Sequence, residues 1–265
     1  MRVVSAIAVL LAVACAPVPP VETPTPEPPL YLFLLAGQSN MAGRGEVEEI
    51  DRTPHPRVFA LSSTMAWGAA REPLHFDKPN IVGVGPGFSF GRAMAEKLPD
   101  VRIGLIPAAV GGSSIRAWQP HAVHEQTGAL PWDDALYRTW RVLATTDSEL
   151  KGIIWHQGES DAGDYVDQYE DALVDLVERF RSEFQQPDLA FVAGELAEFY
   201  MENRNREGGE GINAAINRLP ERLPNTAVVR LDGATAKSDG IHFDAASERA
   251  FGERYAEAMA DLLLN

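Results

Sequence analysis

Four short polar blocks hold the side chains that could do chemistry. Gly37-Gln38-Ser39-Asn40-Met41-Ala42-Gly43 offers a hydroxyl, and Ala108-Ala109-Val110-Gly111-Gly112-Ser113-Ser114 offers exposed backbone amides. His156-Gln157-Gly158-Glu159-Ser160-Asp161 offers a carboxamide, and Ser238-Asp239-Gly240-Ile241-His242-Phe243 offers an Asp-x-x-His pair. A nucleophile, oxyanion donors, a base and an acid to orient the base are the inventory of acyl transfer. In a loop, the Asp-x-x-His spacing lets the carboxylate fold onto Nδ1. That fixes the tautomer whose Nε2 accepts a serine proton. Each block alone also has an ordinary use. A serine after a strand caps a helix, a Gly-Gly pair makes a turn, and Asp239 or Asp244 can cap the last helix.

What must position these blocks is a set of apolar runs. Tyr31–Ala36, Val101–Pro107, Gly152–His156, Leu189–Ala193 and Ala227–Leu231 read as five strands, several of them apolar throughout and so buried on both faces. Helical period runs from Tyr165 to Phe184 and from Ala245 to Leu263, with shorter candidates at Phe88–Leu98 and Asp133–Ala144. Strands alternating with helices predict a three-layer α/β/α sandwich around a mostly parallel five-stranded sheet. In such sheets ligands bind beyond the carboxyl ends of the strands, where the blocks fall. Residues 41–87, rich in Gly and Pro, read as a long irregular loop.

The blocks, in this order, resemble those of the SGNH hydrolases, whose fold is flavodoxin-like. Within them the chain is similar to the carbohydrate acetylesterases grouped with sialate O-acetylesterase domains and the acetylxylan esterases of carbohydrate esterase family 6. The residues that match are Ala36–Gly43, Pro107–Gly112, Trp155–Asp161 and Asp239–Phe243. The resemblance implies Ser39 as nucleophile, His242 as base and Asp239 as its partner. It implies oxyanion donors at the Ser39 amide, the Gly112 or Gly111 amide, and the Gln157 side chain. SGNH enzymes at large carry Asn in the third block, and Gln157 reaches about one bond further. Glu159 is either a second carboxylate assisting His242 or a cap. Gln38 and Asn40, beside Ser39, and Arg116 and Trp118, after the glycine pair, are candidate substrate contacts, the last two by hydrogen bonding and stacking.

Rivals exist. Gly158-Glu159-Ser160-Asp161-Ala162 approaches the G-x-S-x-G nucleophile elbow, so Ser160 competes with Ser39, but choosing it leaves the first two blocks unused. His121 and His124 lack a third ligand and read as loop residues, and His156 reads as a packing residue. Gly83-Val84-Gly85-Pro86-Gly87 fits neither nucleotide-binding pattern and reads as a turn.

Composition narrows the partners. With 38 acidic and 23 basic residues the formal charge is −15, which argues against nucleic acid. The single cysteine, Cys15, excludes an intrachain disulfide and any zinc site built from several cysteines. Met1–Arg2, an apolar run from Val3 to Ala14 and small residues at its end fit an export signal over residues 1–15. Ala12-Val13-Ala14-Cys15 resembles a bacterial lipobox, which makes Cys15 the expected lipid attachment point. Residues 16–29 form a proline-rich spacer, with seven prolines between Pro17 and Pro29, ahead of a domain at 30–265. The expected protein is an exported, lipid-anchored serine esterase facing the periplasm or cell exterior, or else secreted. Its membrane contact would be through the lipid alone. It would remove O-acetyl groups from xylan, another glycan or sialate, with no metal or organic cofactor. The alternatives are a catalytically silent carbohydrate-binding protein and an esterase of lipid or aryl esters.

Overall fold

The computed structural model describes Val3 and residues 27–264. Cys15, the export signal and most of the proline-rich spacer lie outside the described residues.

The chain begins with β1 (Leu30–Gly37), followed by a one-turn helix α1 (Ser39–Ala42) and α2 (Glu49–Arg52). Next come β2 (Val58–Leu61), β3 (Trp67–Ala69), α3 (Pro86–Lys97) and β4 (Arg102–Pro107). A 3-10 turn at Ile115–Trp118 leads to α4 (Pro131–Leu143), β5 (Ser148–His156), α5 (Val166–Glu183) and β6 (Ala190–Gly194). The chain closes with α6 (Glu198–Asn203), α7 (Arg206–Arg222), β7 (Thr226–Val229) and α8 (Ala245–Leu264).

The strands form one seven-stranded sheet in the order β3-β2-β4-β1-β5-β6-β7. All neighbours pair parallel except β2 and β3. The expected three layers and mostly parallel sheet are present, and two expectations are corrected. The sheet has seven strands in place of five, because 41–87 is not irregular throughout: it supplies α2, β2 and β3. These strands have four and three residues, β3 at the edge and β2 next to it, too short to show an apolar run. Near the other edge, α6 and α7 were not expected at all.

β1 lies in the middle, and Leu32 through Ala36 are fully buried. A strand covered on both faces cannot alternate polar and apolar residues, which is why its sequence is continuous. Helices α3 and α8 pack on each other over one face, while α4, α5 and α7 lie on the other. The core is rich in edge-to-face aromatic pairs such as Phe33–Phe90 and Trp118–Trp155, both 5.1 Å between ring centroids.

Two carboxyls are sealed into this core. Glu72 accepts hydrogen bonds from the Leu74 N–H (2.9 Å) and the Gly85 N–H (3.4 Å), yet burial pushes it up to about 8. Glu248 is pushed well above the usual range by burial and by the neighbouring Glu72. A carboxyl held neutral in the fold gives up its proton on unfolding, so stability falls as pH rises from the ordinary Glu range through about 8. Denaturant unfolding should show the wild-type protein losing stability between about pH 5 and pH 8, with Glu72→Gln losing less. Equal pH slopes for the two proteins would contradict this account.

Candidate active site

The four blocks meet at the carboxyl edge of the sheet. β1 ends beside β5, where the Gln38 N–H donates to the His156 carbonyl at 2.9 Å and turns the chain into α1. Ser39 is the first residue of that helix and is nearly buried. His242 arrives from the loop between β7 and α8. An isolated bridge between Ala236 and Phe243 closes this loop, and Phe243 plugs it into the aromatic cluster of Phe199, Phe251 and His156. The His242 Nε2 lies 3.0 Å from Ser39 Oγ, and its Nδ1 lies 2.8 Å from Asp239 Oδ2. The other Asp239 oxygen accepts the Ile241 and His242 backbone N–H groups at 2.8 and 2.9 Å. Partial burial would raise the Asp239 carboxyl, but these bonds and the imidazole hold it down, at about 2. An ionised Asp239 accepts a hydrogen bond from Nδ1–H, which keeps the proton on Nδ1 and leaves Nε2 as the acceptor that faces Ser39.

The second block continues β4. Its Ala108 and Val110 N–H groups bond the Leu35 and Gly37 carbonyls, and the chain then turns at Gly111–Gly112. The Gly111 N–H donates to Asp77 Oδ2 at 2.8 Å. The Gly112 N–H donates to no acceptor among the described residues, and Gly112 lines a cavity of about 380 Å³ that also contains Ser39 and His242. Of the two glycine amides, that of Gly112 is the open one.

The expectation for Gln157 is corrected. Its side chain is fully buried, and its Nε2 is spent on Asp161 Oδ2 (2.6 Å), the Ser113 carbonyl (3.1 Å) and Gln38 Oε1 (3.2 Å). An amide nitrogen has two hydrogens, so none is left for the cavity. Gln38, which does line the cavity, uses its Oε1 to accept from Gln157 and from the Ser160 N–H. Its Nε2 bonds no described residue.

Three further expectations change. Asn40 is buried and is not part of the cavity lining: it donates to Glu159 Oε1 (2.6 Å) and the Ile241 carbonyl (3.3 Å), and accepts from the Phe243 N–H (3.3 Å). It is a strut and not a substrate contact. Trp118 is fully buried, donates to Ser113 Oγ and packs edge-on against Trp155, so no sugar can stack on it. Arg116 lies over the Tyr165 ring near Asp161 and Asp164, away from the cavity lining. Glu159 lines the cavity but makes no hydrogen bond to His242. It faces Asn40 and, at 3.5 Å, His156, and these partners hold its carboxyl below the usual range against the effect of burial.

The rivals lack the partners of Ser39. Ser160 lines the same cavity, but its Oγ donates to the Gly112 carbonyl at 3.1 Å, and no histidine hydrogen-bonds it. His121 pairs with Asp133, while His124 Nε2 is buried with no hydrogen-bond partner among the described residues. Among the described residues no group of three or more His, Cys, Asp or Glu could hold a metal ion. His156 packs between Phe243 and Phe251. The turn before Pro86 docks on the first block through the Gly83 N–H and the Gly43 carbonyl.

Residues 29–261 match the family model described as "Carbohydrate esterase, sialic acid-specific acetylesterase". The chain belongs to this family. It is therefore a carboxylic ester hydrolase of the carbohydrate acetylesterase group. The Arabidopsis thaliana protein named "Probable carbohydrate esterase At4g34215" is 30% identical over 258 residues, covering 89% of this chain and 93% of the relative. The solved structure of that protein aligns with a TM-score of 0.77 at 28% identity, over 89% of this chain and all of the other. The structure of NanS matches in fold, with a TM-score of 0.67 at 21% identity, over 89% of this chain and 98% of that one.

Within this acetylesterase frame, the residues that the sequence blocks did not mark are Arg44, Asp77, Lys78, Ile81, Tyr200 and Arg204. All but Asp77 line the cavity, and Asp77 bonds Arg44 and the Gly111 turn from behind it. Arg44 directly follows the first block and could have been included with it. Asp77, Lys78 and Ile81 come from the stretch without periodicity, where sequence gives no face to assign.

Proposed function

We propose that the protein removes O-acetyl groups from carbohydrate through an acetyl-serine intermediate on Ser39. The observation that carries this reading is the continuous chain from Ser39 Oγ to His242 Nε2 (3.0 Å) and from His242 Nδ1 to Asp239 (2.8 Å) at the floor of the cavity. His242 takes the Ser39 proton as Oγ attacks the acetyl carbonyl. The tetrahedral oxyanion accepts hydrogen bonds from the Ser39 and Gly112 N–H groups and the Gln38 carboxamide. Collapse breaks the bond to the sugar oxygen, which leaves with the proton held by His242. Water, giving its proton to His242, then attacks the acetyl-serine; collapse releases acetate as His242 returns the proton to Ser39 Oγ. Acetylated xylan, other acetylated glycans and O-acetyl sialate are the substrates this chemistry fits.

Acetate release from a panel of acetylated glycans should fall by about 10⁴-fold or more in Ser39→Ala and stay near wild type in Ser160→Ala. Activity surviving in Ser39→Ala would refute the mechanism. Gln38→Ala should lower kcat by about 10²-fold, the scale of one lost oxyanion donor. A kcat equal to wild type would remove Gln38 from the oxyanion site. Export and a lipid on Cys15 belong to the same reading, supported by the apolar run and the Ala12-Val13-Ala14-Cys15 sequence. Cys15→Ser should move the protein from the membrane fraction of its bacterial host to the soluble one; unchanged membrane retention would count against the lipid.

A further inference from the structure

The Gly111–Gly112 turn has four backbone polar groups, and side chains hold two of them. Asp77 accepts from the Gly111 N–H, and Ser160 donates to the Gly112 carbonyl. The Gly112 N–H has no acceptor among the described residues, and Gly112 lines the cavity. The stronger of the two holds is that of Asp77. Its Oδ2 accepts both the Gly111 N–H (2.8 Å) and Arg44 Nη2 (2.7 Å), and Arg44 Nη1 donates to the Gly43 carbonyl at 2.7 Å. The two charged side chains are only 3% and 1% exposed. Charge-assisted bonds of this kind are short and directional, and their low-dielectric surroundings strengthen them.

One buried pair therefore ties three distant segments together: the end of α1, the stretch after β3, and the turn after β4. The fit allows no side chain at the turn. A Cβ on Gly111 would lie 2.2 Å from Arg44 Nη2 and 2.7 Å from Asp77 Oδ2. Burial alone would raise the Asp77 carboxyl, but the Arg44 charge and the Gly111 bond hold it below the usual range, so it stays an anion.

We propose that Asp77, anchored by Arg44, is a positioning residue that holds the Gly111–Gly112 turn at a fixed distance from Ser39, so that the Gly112 N–H meets the developing oxyanion. The role rests on the acetyl-serine reading above. Asp77 touches no reacting atom; it acts through the peptide it grips. A donor aimed at charge that develops only in the transition state affects kcat and leaves KM nearly alone.

The test compares full-length wild type, Asp77→Ala and Asp77→Asn, the last keeping an acceptor for Gly111 and losing the charge that pairs with Arg44. Steady-state acetate release is measured together with inhibition by a small alkyl boronic acid and amide hydrogen exchange at Gly111 and Gly112. Asp77→Ala should lose about 10²-fold in kcat and Asp77→Asn about tenfold, with KM within about threefold. Boronate affinity should fall in step with kcat, and exchange at the turn should speed up. A folded Asp77→Ala protein with kcat within about threefold of wild type would overturn the proposal. So would a loss carried by KM, or unchanged exchange at Gly111. If Asp77→Ala does not fold, the same readouts on Asp77→Asn decide. A wild-type protein that releases no acetate would instead refute the acetyl-serine reading, and the exchange data would still report whether Asp77 holds the turn.

Discussion

The structure depends on the way β1 ends between its two parallel neighbours. Leu35 stands opposite Pro107 of β4 and Gly37 opposite His156 of β5, so three chains leave the sheet at nearly the same level. The Gln38 N–H bond to the His156 carbonyl then fixes where the first chain turns. With that turn set, Ser39 stands at the sheet edge and the second block passes on one side of it. The third block passes on the other side, and the His242 loop closes from above. A parallel sheet with helices on both faces is what makes the spacing reproducible, because a register slip would bury the wrong side chains.

Around this edge runs a buried polar scaffold, only part of which lines the cavity. Asp161 accepts from the Gln157 amide and the Ile115 N–H, Gln157 donates to Gln38 Oε1, and Gln38, whose Nε2 bonds no described residue, lines the cavity. Asn40 links the Ser39 helix to Glu159 and to the backbone on both sides of His242. Asp77 and Arg44 link the same helix to the glycine turn. Such networks are costly when half-satisfied, and each arm here sets the orientation of one donor or acceptor at the reacting centre. The site is thus built less by its few reacting groups than by the buried amides and carboxylates behind them.

Much of the sheet, and the meeting of Ser39, His242 and Asp239 at its edge, was legible in the sequence, because long apolar runs followed by polar blocks are what a buried parallel strand and its edge require. The short strands β2 and β3 were not, since four and three residues give too little pattern. Helix α7 was hidden by Gly208, Gly209, Gly211 and Pro220, all poor helix formers. Tertiary packing explains one of them: a Cβ on Gly208 would fall 1.6 Å from the Ala162 carbonyl oxygen. Gln38 and Gln157 could not be told apart by sequence either. Both are carboxamides in the blocks that meet at this edge, and only the placement of Asp161 and the Ser113 carbonyl decides which one is consumed.

Covalent labelling of the resting protein with a small alkyl phosphonate, followed by peptide mapping, tests the central claim most directly. The reagent mimics the tetrahedral species and reacts with a serine only where a base and oxyanion donors converge on it. The account requires the phosphonyl group to appear on Ser39, with acetate release lost in proportion to labelling. Label found on Ser160, or full acetate release by protein whose Ser39 is phosphonylated, would contradict it.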